Sequence, residues 1–227
     1  MKHILNTFLI AVLTLFSSTT FASVSTATPH YKAWEKQRAT IVKASVRANV
    51  PPSTMAAMAY VETRFDSGAK NKQTGVTKGL YQFDPPTWRA MLRLYGKKYG
   101  YGMNTSIYNP MANSLMAAEL FKHNRKILEK SLNRKVTDSE VYMAHLLGIG
   151  GATKMLKANP NRLARDVMPK AARANKYHFY HNGGKGKPMT VAQFKAELRE
   201  HVSAPKRTFG TEANAIAIMN YNYVHAA

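Results

Sequence analysis

Residues 51–84 read PPSTMAAMAYVETRFDSGAKNKQTGVTKGLYQFD, and they join an apolar helical stretch to a polar loop. The small and apolar residues at positions 55–61 predict a buried helix, which Ser53 can cap at its start. We expect this helix to stop near Gly68, because glycine ends helices more readily than it continues them. The stretch therefore predicts a helix whose last turn meets a surface loop containing glycine, amide and hydroxyl groups.

The sequence on either side has the apolar period of amphipathic helices nearly throughout. Several expected starts carry capping residues, such as Asn109 before Pro110 and the capping-box pair of Thr137 and Glu140. The expected helices run from Tyr31 to Val50, from Asp84 through Leu94, from Asn109 through Leu128, from Thr137 through Leu147, from Thr190 through Val202, and from Ala213 to Met219. Apolar and polar residues nowhere alternate long enough to predict a strand, so the predicted fold class is mainly α.

Composition indicates a globular, strongly basic protein. The chain has 227 residues with 45% hydrophobic content, 33 Lys and Arg against 12 Asp and Glu, a net charge of +21 and no cysteine. These values exclude a disordered or disulfide-scaffolded chain. The charge predicts a polyanion or an anionic cell-envelope surface as a partner. Because the basic residues are scattered and form no recognisable nucleic-acid module, we expect no specific nucleic acid partner.

The first residues predict export. A short positive start is followed by an almost purely apolar run at positions 4–16 and by the small residues Thr20 and Ala22. This is the pattern of a cleavable signal peptide over residues 1–22. The alternative is a retained anchor, but a membrane-spanning helix needs about twenty apolar residues. We therefore expect a periplasmic or secreted protein with no stable membrane span after processing.

Glu62 stands out among the twelve carboxylates of the chain. It follows an apolar run and lies in the last turn of its predicted helix. Desolvation and the negative end of the helix dipole both disfavour its charged form. A carboxyl group kept protonated in this way can serve as a general acid near neutral pH. The alternative is a helix-end Glu that pairs with Arg64.

The sequence predicts neither a cofactor nor a metal site. His178 and His181 have a spacing that metal ligands use, but no third ligand accompanies them and no H-E-x-x-H motif occurs. The polar loop at 68–84 is a better candidate for a binding surface. Glycine lets the backbone approach a ligand, and aromatic and amide side chains suit the mixed surface of a sugar.

Three ordered motifs resemble a known enzyme family. They are Glu62-Thr63, the GLYQF segment at 79–83, and the AHLLGIGG segment at 144–151. They look like the motifs of lytic transglycosylases with the soluble-transglycosylase, or goose-lysozyme-like, catalytic domain. The resemblance runs from about Ile41 to Val202. It is closer to the virion-associated muramidases of large bacteriophages and their bacterial relatives, which share the YMAH form of the third motif and the MPKAA segment at 168–172.

The resemblance implies a lysozyme-like helical domain that cleaves peptidoglycan glycan strands between N-acetylmuramic acid and N-acetylglucosamine. Glu62 falls on the family's single catalytic acid and base. The residues implied to contact substrate are Thr63, Gly79, Leu80, Tyr81, Gln82, Phe83, Tyr142, His145 and Gly148. This sequence departs from the usual pattern at three places. Thr63 replaces Ser, Tyr81 replaces Met, and His145 stands where many members have Tyr.

Two mechanisms follow from the number of carboxylates in the cleft. The family resemblance implies a reaction that uses one carboxyl group. Glu62 protonates the scissile oxygen and then deprotonates the muramyl 6-hydroxyl, which leaves a 1,6-anhydro end. A hydrolytic muramidase would need a second carboxylate. Asp66 is the candidate, because it would share the helical face of Glu62 if the helix continued. The alternative for Asp66 is a local turn or cap.

The sequence thus predicts four segments: a signal peptide at 1–22, a spacer and the start of the first helix at 23–40, the catalytic domain at 41–202, and a tail without an assigned role at 203–227. A secreted basic wall-binding protein that lacks catalysis is the alternative to an enzyme. The carboxyl group of Glu62 at an apolar helix end favours the enzyme, because a protein without catalytic activity would have no reason to keep it.

Overall fold

The computed structural model describes residues 30–71 and 75–225, with side chains described up to residue 220. The predicted signal peptide at 1–22 and most of the spacer lie outside these residues. Within the described part of the chain, no helix is both long and apolar enough to cross a membrane.

The described residues form helices, and their β-structure is limited to isolated bridges. The prediction of a mainly α fold is therefore confirmed. A π-helical segment, Leu92–Gly96, connects α3 to α4. The helices are α1 (Tyr31–Ala48), α2 (Pro52–Thr63), α3 (Pro85–Met91), α4 (Lys97–Tyr99), α5 (Pro110–Leu132), α6 (Asp138–Lys157), α7 (Ala164–Val167), α8 (Pro169–Ala174), α9 (Lys176–Phe179), α10 (His181–Gly184) and α11 (Val191–His225).

Four predicted helix starts are confirmed by hydrogen bonds that backbone amides donate to side-chain oxygens. The Asp84 carboxylate accepts from the Thr87 amide, and the Asn109 amide oxygen accepts from the Ala112 amide. Both capping boxes are present, one formed by Thr137 with Glu140 and the other by Thr190 with Gln193. These bonds satisfy amides that the first helical turn leaves without partners.

The limits predicted for α2 were wrong at both ends. Pro51 is the N-cap residue, and Ser53 lies inside the helix. At the other end α2 stops at Thr63, because Arg64 and Phe65 both have positive φ angles, 55° and 70°. The left-handed conformation cannot continue a right-handed helix. The Phe65 side chain turns into the core, where its ring packs 5.1 Å from Trp34.

The segment predicted to be a tail belongs to the folded core. Helix α11 crosses position 202 without a break and makes its most extensive contacts with α2. Phe209 and Ala213 are buried. The Glu212 carboxylate accepts a hydrogen bond from the Trp34 indole at 2.9 Å and pairs with Arg38 at 2.5 Å. The boundary at 202 was therefore wrong, since residues 203–213 help to complete the core.

Helix α2 occupies the centre of the bundle. It packs against α1 and α11, while α5 packs against α1 and α6, and α6 also contacts α11. This arrangement places the C-terminal end of α2, with Glu62, opposite the middle of α6. The site is therefore assembled from elements that are far apart in the sequence.

Candidate active site

Glu62 lines a small apolar cavity. Its side chain is 14% exposed, and the cavity has a volume of about 40 Å³. Among the described residues that line this inner cavity, Glu62 carries the one carboxylate. Its apolar lining comes from Met55, Met58, Tyr81, Phe83, Ala117, Leu120, Phe121, Val141 and Tyr142. The carboxyl group of Glu62 therefore faces mainly apolar side chains.

Thr63 fastens the end of α2 to the following loop. Its hydroxyl lies 2.9 Å from the Leu80 carbonyl oxygen and 3.2 Å from that of Ala59. The single hydroxyl proton is therefore engaged by backbone acceptors within the protein. Thr63 thereby holds the loop at 79–83 beside Glu62, and its contact with substrate stays a prediction.

The loop at 79–83 is held from below by Asn113. The Asn113 side chain donates to the Ile107 carbonyl at 2.8 Å and accepts from the Tyr81 amide at 2.9 Å. Gly79 has a φ of +79°, and a Cβ at this position would lie 2.4 Å from the Ile107 carbonyl oxygen. Position 79 therefore requires glycine for both its conformation and its close contact.

The side chains of this loop divide between the core and a larger cavity. Leu80, Tyr81 and Phe83 are buried, and the Tyr81 hydroxyl donates to the Met55 carbonyl at 3.1 Å. Gln82 lines an outer cavity of about 310 Å³. Its side-chain amide donates to the Gly79 carbonyl at 2.9 Å, and its oxygen accepts from the Thr77 hydroxyl at 2.9 Å. The loop is thus braced by its own polar groups.

The third predicted motif forms the opposite side of both cavities. Nε2 of His145 lies 3.2 Å from Oε1 of Glu62. The Tyr142 and His145 rings are stacked with centroids 6.0 Å apart. Burial raises the pKa of Tyr142 well above its ordinary value, and the charges of Glu62 and Glu197 and a hydrogen bond with Glu62 raise it further. Both ring side chains therefore act on the carboxyl group of Glu62.

Gly148 interrupts α6 at the rim of the outer cavity. Its φ of 70° and ψ of 161° are not helical, and a Cβ there would meet nothing within 4 Å. Glycine is thus needed here for its backbone conformation alone. The break turns the chain so that Ala144, Gly148 and Ile149 all line the outer cavity.

Asp66 does not share the helical face of Glu62. The helix ends before it, and Asp66 is exposed, with one carboxylate oxygen accepting from the Gly68 amide at 2.9 Å. It lines neither cavity. The possibility of a shared face is excluded because α2 ends before Asp66, and the interpretation of Asp66 as part of a local turn agrees with the observed hydrogen bond.

The comparison with family models agrees with this geometry. Residues 39–166 match the family model described as "Transglycosylase SLT domain". The match covers more than half of the chain. The chain belongs to the transglycosylase SLT family. It is accordingly a lytic transglycosylase-type enzyme that acts on peptidoglycan, with the helical lysozyme-like fold.

The matched part of this SLT domain contains Glu62 and every residue implied to contact substrate, but not the MPKAA segment at 168–172. It ends in α7, whereas the fold continues through α11, which supplies Phe209 and Glu212 to the core around α2. The resemblance read from the sequence extended further, to Val202. The structural unit is larger than either span.

Sequence reasoning missed several residues that line the SLT cavities. Asp84 was interpreted as a helix start, and it does cap α3, but it also carries the one carboxylate among the described residues lining the outer cavity. Leu120 and Asn124 of α5 line both cavities. The α5 residues had no distinguishing local signal, because a helix face that lines a cleft has the same apolar period as one that packs in a core.

The histidine pair at 178 and 181 is not arranged as a metal site. Nδ1 of His178 lies 3.2 Å from a Glu197 oxygen, and its ring packs edge-on against His201 at 4.9 Å. Among the residues that the structure describes, no group of three or more His, Cys, Asp or Glu side chains is placed to hold a metal ion.

Proposed function

We propose that this protein is an exported peptidoglycan lytic transglycosylase that uses Glu62 as its single general acid and base. The bond cleaved is the one between N-acetylmuramic acid and N-acetylglucosamine, and the products carry 1,6-anhydro-muramic ends. One observation carries the proposal. Glu62 is a mostly buried carboxyl group at an apolar cavity that opens beside a cleft large enough for sugar rings.

The chemistry needs one group that first gives and then takes a proton. Glu62 gives its proton to the scissile oxygen as the glycosidic bond breaks. The resulting carboxylate then accepts the proton of the muramyl 6-hydroxyl, whose oxygen closes on the anomeric carbon. Internal attack by a held hydroxyl can outcompete water, because effective molarities of well-oriented groups reach about 10⁵ M or more.

The surrounding residues support this reaction by holding Glu62 in place. Thr63 joins the helix end to the Leu80 loop, and Tyr142 and His145 contact the carboxyl group from α6. Gln82 and Gly148 shape the outer cavity, where we place the glycan strand. The buried residues Leu80, Tyr81 and Phe83 support the cleft from within.

The test is digestion of purified sacculi by the wild type and by Glu62→Gln. The amide keeps the size of the side chain and removes the transferable proton, so we expect at least about a hundredfold loss of cleavage with an unchanged circular dichroism spectrum. Asp66→Asn is the matched control, and it should keep most of the activity because Asp66 faces solvent. A Glu62→Gln variant within threefold of the wild type refutes the assignment of Glu62.

Product analysis tests the one-carboxyl mechanism separately. Muropeptides that end in 1,6-anhydro-muramic acid resist borohydride reduction and have a lower mass than hydrolysed ones by one water. Reducing ends would instead identify a water-using muramidase, which needs a second carboxylate in the cleft. Asp84→Asn would then be the variant to assay, because Asp84 lines the outer cavity and Asp66 does not.

The basic charge is proposed to hold the enzyme on the anionic cell envelope. Without residues 1–22, which carry Lys2 as their one charged side chain, the net charge is +20 (32 basic less 12 acidic side chains). Association with sacculi should weaken strongly with salt, because the Debye length falls from about 10 Å at 0.1 M to about 3 Å at 1 M. Sedimentation of the inactive Glu62→Gln variant with sacculi measures this without digestion. Binding that is equal at both salt concentrations would require another explanation for the charge.

The proposal that the protein is exported rests on the sequence of residues 1–22 alone. The mature protein is expected to begin at Ser23, after the small residues Thr20 and Ala22. Mass spectrometry of the protein recovered from the periplasm or medium decides this. Intact Met1 in the membrane fraction would support the retained anchor instead.

A further inference from the structure

His145 lies between the carboxyl group of Glu62 and the outer cavity. Its Nε2 is 3.2 Å from Oε1 of Glu62, and its side chain is 31% exposed. It lines both the inner and the outer cavity, whereas Glu62 lines the inner one. An imidazole in this position can exchange a proton with Glu62 on one side and with solvent in the cleft on the other.

The charges around His145 favour its protonated form. Burial alone lowers the pKa of His145, but the Glu62 carboxylate and, more weakly, the Asp84 carboxylate outweigh this and raise the pKa above its ordinary value. Glu62 faces it from α2, and Asp84 faces it from the start of α3. The two α5 residues in the same walls, Leu120 and Asn124, carry no charge.

The remaining charged groups nearby act on Tyr142. This residue stacks on His145 from the same helix, and its hydroxyl remains protonated because burial raises its pKa. Arg64 at the end of α2 and Glu197 on α11 act on Tyr142, and His201 on α11 lies with its ring 6.0 Å from that of Tyr142. The pKa of His201 is lowered by burial and by His178, so His201 is neutral near pH 7.

We propose that His145 and Glu62 share one proton, so that His145 stores the proton that Glu62 delivers to the scissile oxygen. The inference rests on the proposed function of Glu62. His145 acts through Glu62, so the presence of His where many family members have Tyr makes the enzyme depend on an imidazole.

The proton balances over one reaction cycle. In the resting pair the proton is on Nε2 of His145, and it moves to the carboxyl oxygen of Glu62. Glu62 transfers it to the scissile oxygen as the bond to the anomeric carbon breaks. When the 6-hydroxyl oxygen bonds to that carbon, its proton returns to Glu62 and then to His145. The pair begins and ends with one proton, and no other reactant is consumed.

The shared proton predicts the pH at which activity is lost on the alkaline side. The active state is the pair with one proton, so activity falls when pH rises through the value at which the pair loses that proton. Without the imidazole, the proton must be held by a carboxyl group alone, and carboxyl groups release protons at lower pH than imidazoles. Removing His145 should therefore move the alkaline limb to lower pH.

The kinetic test compares pH–rate profiles on labelled sacculi for the wild type, His145→Gln and His145→Tyr. We expect the alkaline limb of both variants to shift by at least about one pH unit towards acid, and Asp84→Asn to shift it by less in the same direction. The asparagine can still accept from the Thr87 amide. His123→Gln, an exposed histidine of α5, should leave the profile unchanged. Alkaline limbs that coincide in the wild type and His145→Gln overturn the proposal.

A second measurement does not depend on activity. NMR titration of the His145 imidazole should give a pKa at least about one unit lower in Glu62→Gln than in the wild type, because the partner carboxylate is removed. An unchanged value overturns the shared proton. A wild type that fails to cleave sacculi refutes the proposed function, while this titration still reports on the pair itself.

Discussion

Replacing Phe209 by Ala should strongly destabilise the enzyme, although the family match ends more than forty residues before it. Its side chain is 1% exposed. Its ring packs against three other aromatic rings, with centroid distances of 5.6 Å to Trp34, 5.0 Å to Tyr60 and 4.9 Å to Phe65. Two of these partners flank Glu62 in the sequence: Tyr60 lies in the last turn of α2, and Phe65 follows its end.

The expected magnitude follows from these contacts. Truncating a buried Phe to Ala lowers the free energy of unfolding by about 3–5 kcal/mol. For a domain of this size, each kcal/mol corresponds to about 2–4 °C in melting temperature. Phe209→Ala should therefore melt about 6–20 °C below the wild type. Because three aromatic contacts are also lost, we expect the decrease in melting temperature to lie in the upper half of this range.

Thermal unfolding followed by circular dichroism at 222 nm measures the effect. Ile218→Ala is the matched control, because Ile218 lies on the same helix but is 61% exposed and should change stability by less than about 0.5 kcal/mol. If Phe209→Ala melts within about 3 °C of the wild type, or no lower than Ile218→Ala, residues 203–220 are an appendage and our account of the core is wrong.

Further predictions concern the loop, the helix break and acid stability. Gly79→Ala should lower the melting temperature and the activity more than Gly148→Ala. Both positions have positive φ, but only the Cβ at position 79 would strike the Ile107 carbonyl. Thermal melts and sacculus digestion measure the two variants, and equal effects would contradict the role of the close contact at position 79. The pKa of Asp138 is lowered in the folded protein, because hydrogen bonds and ion pairs with Lys206, Thr54 and Arg125 outweigh its burial, which alone would raise the pKa. Its contribution to stability is therefore present above the unfolded-state pKa of about 4 and is lost as pH falls through the lower folded-state value. Urea unfolding between pH 2 and 7 should show a smaller acid-dependent loss for Asp138→Asn than for the wild type, and parallel curves would exclude this linkage.

The starts of α3, α5, α6 and α11 could be predicted because the signals are local. Asp84, Asn109 and Thr137 each cap amides within three residues of themselves, so the interaction is visible in a short window of sequence. Ser53 shows the limit of this reasoning. It has the right chemistry for a cap but lies inside α2, because Pro51 and Pro52 begin the helix earlier.

The end of α2 was decided by packing. Local pattern allowed the helix to reach Gly68, and a longer helix would have placed Asp66 on the face of Glu62. Instead Phe65 turns into a cluster with Trp34 and Phe209, and the backbone adopts positive φ angles at Arg64 and Phe65 to allow it. Burial of the Phe65 ring, worth about 1.5–3 kcal/mol, acts together with its aromatic contacts to offset the conformational cost of about 1–2 kcal/mol for each of the two residues.

The sequence by itself determined the helical class, the starts of α1, α3, α5, α6 and α11, the basic charge and the identity of Glu62 as the candidate acid. These properties depend on composition, on periodicity and on motifs a few residues long. Only the tertiary structure decided which groups surround Glu62. His145 follows it by more than eighty positions and Asp84 belongs to another helix, and both are near the site because α2, α3 and α6 pack around the same cavities. The same packing turned Asp66 towards solvent and made Phe209 part of the core, because side chains distant in sequence compete for one buried volume.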